Sequence, residues 1–153
     1  MPSPTGPIRY FAYGRNLGSA AMELACPGHR YLGRAELRDH RLAFTRRSRR
    51  TGTGVADLLA VPGESVWGAL YELDQPDLSA LDEKEGNGWA YQRRTVRVLS
   101  DECVELQAFA YAVITPEDEE LFPSPEYLGA LLDGAREREL PAPYIAALAA
   151  RFT

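Results

Sequence analysis

Apolar and aromatic side chains fill Ile8–Ala12 and stop abruptly at Tyr13-Gly14-Arg15-Asn16. A short apolar run closed by glycine and asparagine predicts a strand that leaves into a turn. Ser19–Ala25 follows as a predicted helix, with Ser19 as its N-cap and Cys26-Pro27-Gly28 as its stop. Stretches at 31–37, 41–44, 55–61, 66–73, 91–99 and 104–114 are rich in strand-forming residues and predict further strands. Turn signals such as Pro62-Gly63-Glu64 divide them. Residues 125–139 and 143–152 read as helices, broken by Leu140-Pro141-Ala142-Pro143. Many strands with few helices and no regular alternation predict an α+β fold, with a mixed or antiparallel sheet able to curl into a small barrel.

One further helix carries the most informative position. Asp74 suits its N-cap, Pro76 its first turn, Asp77 its positive end and Gly86 its C′ position. At about 100° per residue, Leu78 and Leu81 define an apolar stripe. Glu85 falls between the two leucines, Asp82 lies at the edge of the stripe, and Glu83 and Lys84 lie off it. A carboxylate turned inward loses hydration, and the negative end of the helix dipole adds to the effect, so its pKa rises. That is how a glutamate becomes a proton acceptor and donor near neutral pH. The competing reading is that the helix frays at Gly86 and Glu85 sits in water.

Composition narrows the class. The 153 residues are 45% hydrophobic and 25% charged, the balance of a folded globular chain. Residues 1–7 read as a loose tail and 8–153 as one domain. A net charge of −5 weighs against a nucleic-acid or anionic-membrane binder, and no window is long and apolar enough for a membrane span. Cys26 and Cys103 lack metal-ligand spacing, so no metal site is expected, and the reading is two reduced thiols in a cytoplasmic protein. The basic run Arg46-Arg47-Ser48-Arg49-Arg50 reads either as a solvated loop or as a recognition element, for an acidic or phosphorylated leaving group or for nucleic acid. The last is weakened by the absence of a matching fold motif and by the acidic rest of the chain. His29 and His40 complete no triad pattern. The turn after the first strand could present consecutive backbone N–H groups to an anion, or be an ordinary connection.

Four motifs then occur in order. Tyr10-Phe11-Ala12-Tyr13-Gly14-Arg15-Asn16-Leu17 resembles the YFAYGSNL signature of the gamma-glutamylcyclotransferase family. Val66-Trp67-Gly68 resembles its VWG strand, and Leu81-Asp82-Glu83-Lys84-Glu85-Gly86 its LDxxEG catalytic segment. Gly134-Ala135 with Leu140-Pro141 and Tyr144 is similar to its carboxy-terminal pattern. The resemblance implies a small β-barrel flanked by helices. It also implies cyclisation of a gamma-glutamyl amide to 5-oxoproline with release of the amine, without a cofactor. It carries the catalytic glutamate onto Glu85 and the substrate cradle onto Tyr10, Phe11, Ala12, Tyr13, Gly14, Arg15 and Asn16. Tyr91 and Tyr111 are implied as pocket tyrosines, each with core packing as the alternative. Arg15 replaces the family serine, and is expected either to meet a substrate carboxylate or to point outward.

The expected partner is a small gamma-glutamyl compound, not nucleic acid or membrane, and the chain is expected to be a monomer or homodimer. The leaving amine could belong to an amino acid or peptide, to a polyamine-like amine, or to a gamma-glutamyl-protected natural-product intermediate. A different class, a non-catalytic binding module on the same barrel, would keep the pocket and lose the chemistry.

Overall fold

The computed structural model describes residues 7–152, so all but the last residue of the expected N-terminal tail lies outside the described residues. The strands are β1 (Ile8–Ala12), β2 (Arg30–Arg47), β3 (Gly54–Leu73), β4 (Tyr91–Ser100) and β5 (Glu105–Val113). The helices are α1 (Ser19–Ala25), α2 (Gln75–Glu85), α3 (Pro125–Glu137) and α4 (Ala142–Ala150), with a 3-10 turn at Arg15–Leu17. The strands close into a barrel in the order β1-β3-β2-β4-β5. All neighbouring pairs are antiparallel except the closure, where β5 meets β1 in parallel at Tyr10 and Phe109. Among the described residues no helix is long and apolar enough to cross a membrane.

Two features differ from the sequence expectation. The segments 31–37 and 41–44 are one strand, β2, and 55–61 and 66–73 are one strand, β3. Pro62-Gly63-Glu64 does not end β3. Asp39 takes a left-handed conformation (φ 60°) opposite Gly63 (φ 87°), and the Gly63 N–H donates to Asp39 Oδ1 at 2.9 Å. Asp and Gly are the residues that tolerate this backbone. The pairing jumps from Arg38↔Ser65 to His40↔Ala60, so the irregularity bends a continuous ribbon instead of breaking it. Long bent strands are what close so small a barrel.

The core joins the barrel to its helices. Phe11, Phe44, Val66 and Tyr71 from the strands pack with Leu17, Met22, Leu81 and Leu131 from the turn and helices. Asp57 is a buried carboxylate in this interior that no sequence pattern singled out. It accepts from Thr45 Oγ1 (2.8 Å), Leu58 N–H (2.8 Å) and Val113 N–H (2.9 Å), stitching β2, β3 and β5 together. Its donors replace the hydration that burial removes. Gly134 brings α3 against the 3-10 turn: a Cβ there would lie 2.8 Å from Gly18 N and 2.9 Å from Leu17 Cβ. Any side chain would push the helix off the turn that carries Asn16.

Candidate active site

A cavity of about 220 Å³ opens at one end of the barrel. Each wall comes from a different element. The end of β1 and its turn supply Tyr10, Tyr13, Gly14, Arg15 and Asn16, and the end of α2 supplies Lys84 and Glu85. Tyr91 opens β4, Tyr111 stands on β5, Tyr127 comes from the first turns of α3, and the β2–β3 loop forms the mouth.

Glu85 owes its place to how α2 begins and ends. Asp74 caps the N-terminus, its side chain accepting from Asp77 N–H at 2.8 Å. Leu78 and Leu81 are buried on the stripe that Glu85 continues, and the carboxylate faces the cavity. Gly86 then turns the chain left-handed (φ 64°), and Asn87 N–H returns to Asp82 O at 2.9 Å. A Cβ on Gly86 would also strike the Trp89 ring at 2.7 Å. Gly86→Ala is therefore expected to cost about 1–2 kcal/mol from the backbone conformation, more with the ring clash, measured by denaturant melting.

Asn16 is 4% exposed and is the hub of the site. Its Nδ2 donates to Glu85 Oε1 at 2.8 Å and to Tyr10 Oη at 3.0 Å. Its Oδ1 accepts from Lys84 Nζ at 2.8 Å, which fixes which way the amide faces. Lys84, off the apolar stripe on the helical wheel, reaches the cavity because its stem is long enough to reach round the helix. Burial raises the Glu85 pKa above the ordinary glutamate value, opposed first by the Lys84 charge and then by the Asn16 hydrogen bond. The side chain is only half-buried by area because its carboxylate borders the cavity, yet protein surrounds the rest of it.

Besides Tyr10, four tyrosines line the same space with their hydroxyls engaged. Tyr13 donates to Tyr111 O at 2.5 Å, Tyr91 to Ala56 O at 2.7 Å, and Tyr111 to Asp82 Oδ1 at 2.6 Å. The Tyr127 hydroxyl accepts from Ala56 N–H at 3.3 Å. Burial pushes all four phenols up, Tyr127 to about 12, so they remain neutral donors at physiological pH. The Asp82 carboxylate also lies 3.4 Å from Arg93, holding it on Tyr111 and away from Glu85.

The expected substrate segment is only partly assembled. Tyr10, Tyr13, Gly14, Arg15, Asn16, Tyr91, Tyr111 and Glu85 all line the cavity. Phe11 and Ala12 do not. Side chains alternate along a strand, so when Tyr10 faces the cavity Phe11 faces the core, where it is fully buried. Ala12 is a single methyl sealed in the same core. Arg15 pairs with Glu126 at 3.1 Å and leans on the Tyr127 ring, 5.9 Å from its centroid. Lys84, Ala56, Tyr127 and the loop residues Ser48, Arg50, Thr51 and Thr53 were not marked as site residues by the sequence. Only the arginine run offered a signal for any of them.

The AIG2-like family model matches residues 65–148. Human gamma-glutamylcyclotransferase is 32% identical over 149 residues, covering 92% of this chain and 78% of that one. The chain belongs to the gamma-glutamylcyclotransferase family. The bovine gamma-glutamylcyclotransferase is likewise 32% identical, over 140 residues, covering 88% of this chain and 73% of its own. A solved gamma-glutamyl cyclotransferase structure superposes with a TM-score of 0.88 at 31% identity, covering 95% of this chain and 88% of that one. The segment matched by the AIG2-like family model, residues 65–148, includes Lys84, Glu85, Tyr91, Tyr111 and Tyr127 of the cavity wall of this gamma-glutamylcyclotransferase family member.

Proposed function

We propose that this chain cyclises a gamma-glutamyl amide to 5-oxoproline and releases the amine, with Glu85 as general acid/base. The observation that carries the proposal is the Glu85 carboxylate opening onto a cavity bordered by the Tyr13–Asn16 turn and held there by Asn16. The activity borne by the names of the relatives supports the same reading.

The substrate carries its own nucleophile, so the site has to fix geometry and move protons. Glu85 takes one proton from the glutamyl α-ammonium. The freed amine attacks the γ-carbonyl carbon, forming the ring C–N bond and moving an electron pair onto the carbonyl oxygen. Glu85 returns its proton to the departing nitrogen as the amide C–N bond breaks. The surplus proton on the ring nitrogen ends on the released amine, so net charge is conserved and Glu85 finishes ionised. Main-chain N–H groups of the Gly14–Asn16 turn are the donors for the α-carboxylate or the developing oxyanion. Tyrosine hydroxyls and rings enclose the glutamyl chain and exclude water. Two free thiols, Cys26 buried and Cys103 exposed, fit a reducing cytoplasmic setting.

The test is direct. Purified protein is incubated with a panel of gamma-glutamyl amides, and 5-oxoproline is measured by mass spectrometry. Release from at least one compound is expected; binding without turnover across the panel would instead favour the non-catalytic module.

A further inference from the structure

The β2–β3 loop stands at the cavity mouth, and its arginines are not equivalent. Arg46 and Arg49 each place a guanidinium over the ring of the exposed Trp89, 5.4 and 5.3 Å from its centroid. Arg47 donates to Gly52 O at 2.7 Å and lies 3.9 Å from Glu117. Arg50 alone of the run lines the cavity, and among the described residues its guanidinium has no hydrogen bond, ion pair or aromatic partner. The other arginine on the lining, Arg15, is already paired with Glu126.

The hydroxyl residues beside Arg50 build the loop around it. Ser48 Oγ accepts from the Arg50 and Thr51 N–H groups, at 3.3 and 3.4 Å, and Thr51 and Thr53 share a 2.6 Å hydrogen bond. The loop is thus held by its own bonds, while the Arg50 side chain stays available. Glu85 fixes the orientation of any gamma-glutamyl amide, because the reacting amine and carbonyl must lie beside it. The departing nitrogen lies beside Glu85 as well, so it is the substituent on that nitrogen that extends along the cavity towards the loop and Arg50.

We infer that Arg50 is a specificity-determining residue that selects leaving amines bearing an anionic group, a carboxylate or a phosphate. The inference rests on the proposed cyclisation and adds to it the chemistry of the leaving group. A guanidinium fork matches either anion with two parallel hydrogen bonds. An open mouth weakens the contact by solvent screening, so the expected preference over a neutral amide is about five- to tenfold in kcat/KM. The preference is expected mainly in KM, since the contact is remote from the bonds that change.

The experiment compares 5-oxoproline release from γ-glutamyl-alanine, γ-glutamyl-O-phosphoethanolamine and γ-glutamyl-alaninamide. Preference for either charged compound over the amide supports the inference, and the larger of the two names the anion. In Arg50→Gln the charged-to-neutral ratio is expected to collapse towards one, whereas Arg50→Lys keeps part of it. Arg49→Gln, which alters a neighbouring charge outside the cavity lining, is expected to keep the parent ratio. A parent ratio near one, or a ratio unmoved in Arg50→Gln, would overturn the subsite while leaving the cyclisation standing. Absence of release from all three, and from the wider panel, would overturn the activity and the subsite with it.

Discussion

Glu85→Gln is expected to lower kcat/KM for 5-oxoproline release by about 10²–10⁴-fold, the range for loss of a positioned general acid/base. The substitution keeps the side chain's shape, and a glutamine Oε1 can still accept from Asn16, so the cavity remains formed. Protein that folds and binds but cyclises at close to the parent rate would remove Glu85 from the mechanism. A second readout has the opposite sign. Because burial raises the Glu85 pKa in the folded chain, the ionised form is less favourable there than in the unfolded chain. Its neutral form favours folding below the unfolded value near ~4.3, and that advantage is lost as pH rises through the folded value. Glu85→Gln should therefore melt above the parent at neutral pH, with the gap closing under acid conditions. Gain in stability with loss of activity is the expected signature of a group kept for function. Thermal melts across the pH range would detect it.

That signature was partly visible in the residues. The stripe Leu78, Leu81, Glu85 on a helix with a clear cap at each end is local information, and local periodicity placed the carboxylate inward. The same locality explains β1, the turn after it and the two C-terminal helices. It could not show that Asn16, sixty-nine residues away in the chain, donates to Glu85, because barrel closure brings them together. Asp57 was hidden for the same reason: its donors lie on β2, on β3 and across the barrel on β5. Strand lengths failed differently. Pro62-Gly63-Glu64 has the composition of a hairpin turn, and only its pairing with Asp39 makes it a bend within a longer ribbon. Phe11 and Ala12 were drawn into the substrate segment by a contiguous motif, whereas strand alternation and side-chain length send them to the core. Lys84 lies off the apolar stripe as the helical wheel indicates, and it reaches Asn16 only because its side chain is long, which the wheel does not record.

Asn16→Ala is expected to lower kcat/KM by about 10²-fold, the scale of losing the geometry of a reacting group by an ångström or so. The direction of its pH effect separates this role from a merely structural one. Asn16 donates to the ionised carboxylate of Glu85 and so lowers its pKa; without it burial acts less opposed. The Glu85 pKa rises further, less of the enzyme is ionised at a given pH, and the acid limb of kcat/KM moves to higher pH. The alkaline limb, set by the substrate's own α-amine, should stay where it is. Lys84→Met should move the acid limb in the same direction. It removes the charge that most opposes the effect of burial, and it frees Asn16 Oδ1, so the amide is no longer held facing Glu85. The two substitutions are expected to be less than additive, because Lys84 acts on Glu85 partly through Asn16. If both variants lost rate with acid limbs unchanged, the hub would serve packing alone, and the proton-accepting power of Glu85 would have to be set elsewhere in the cavity.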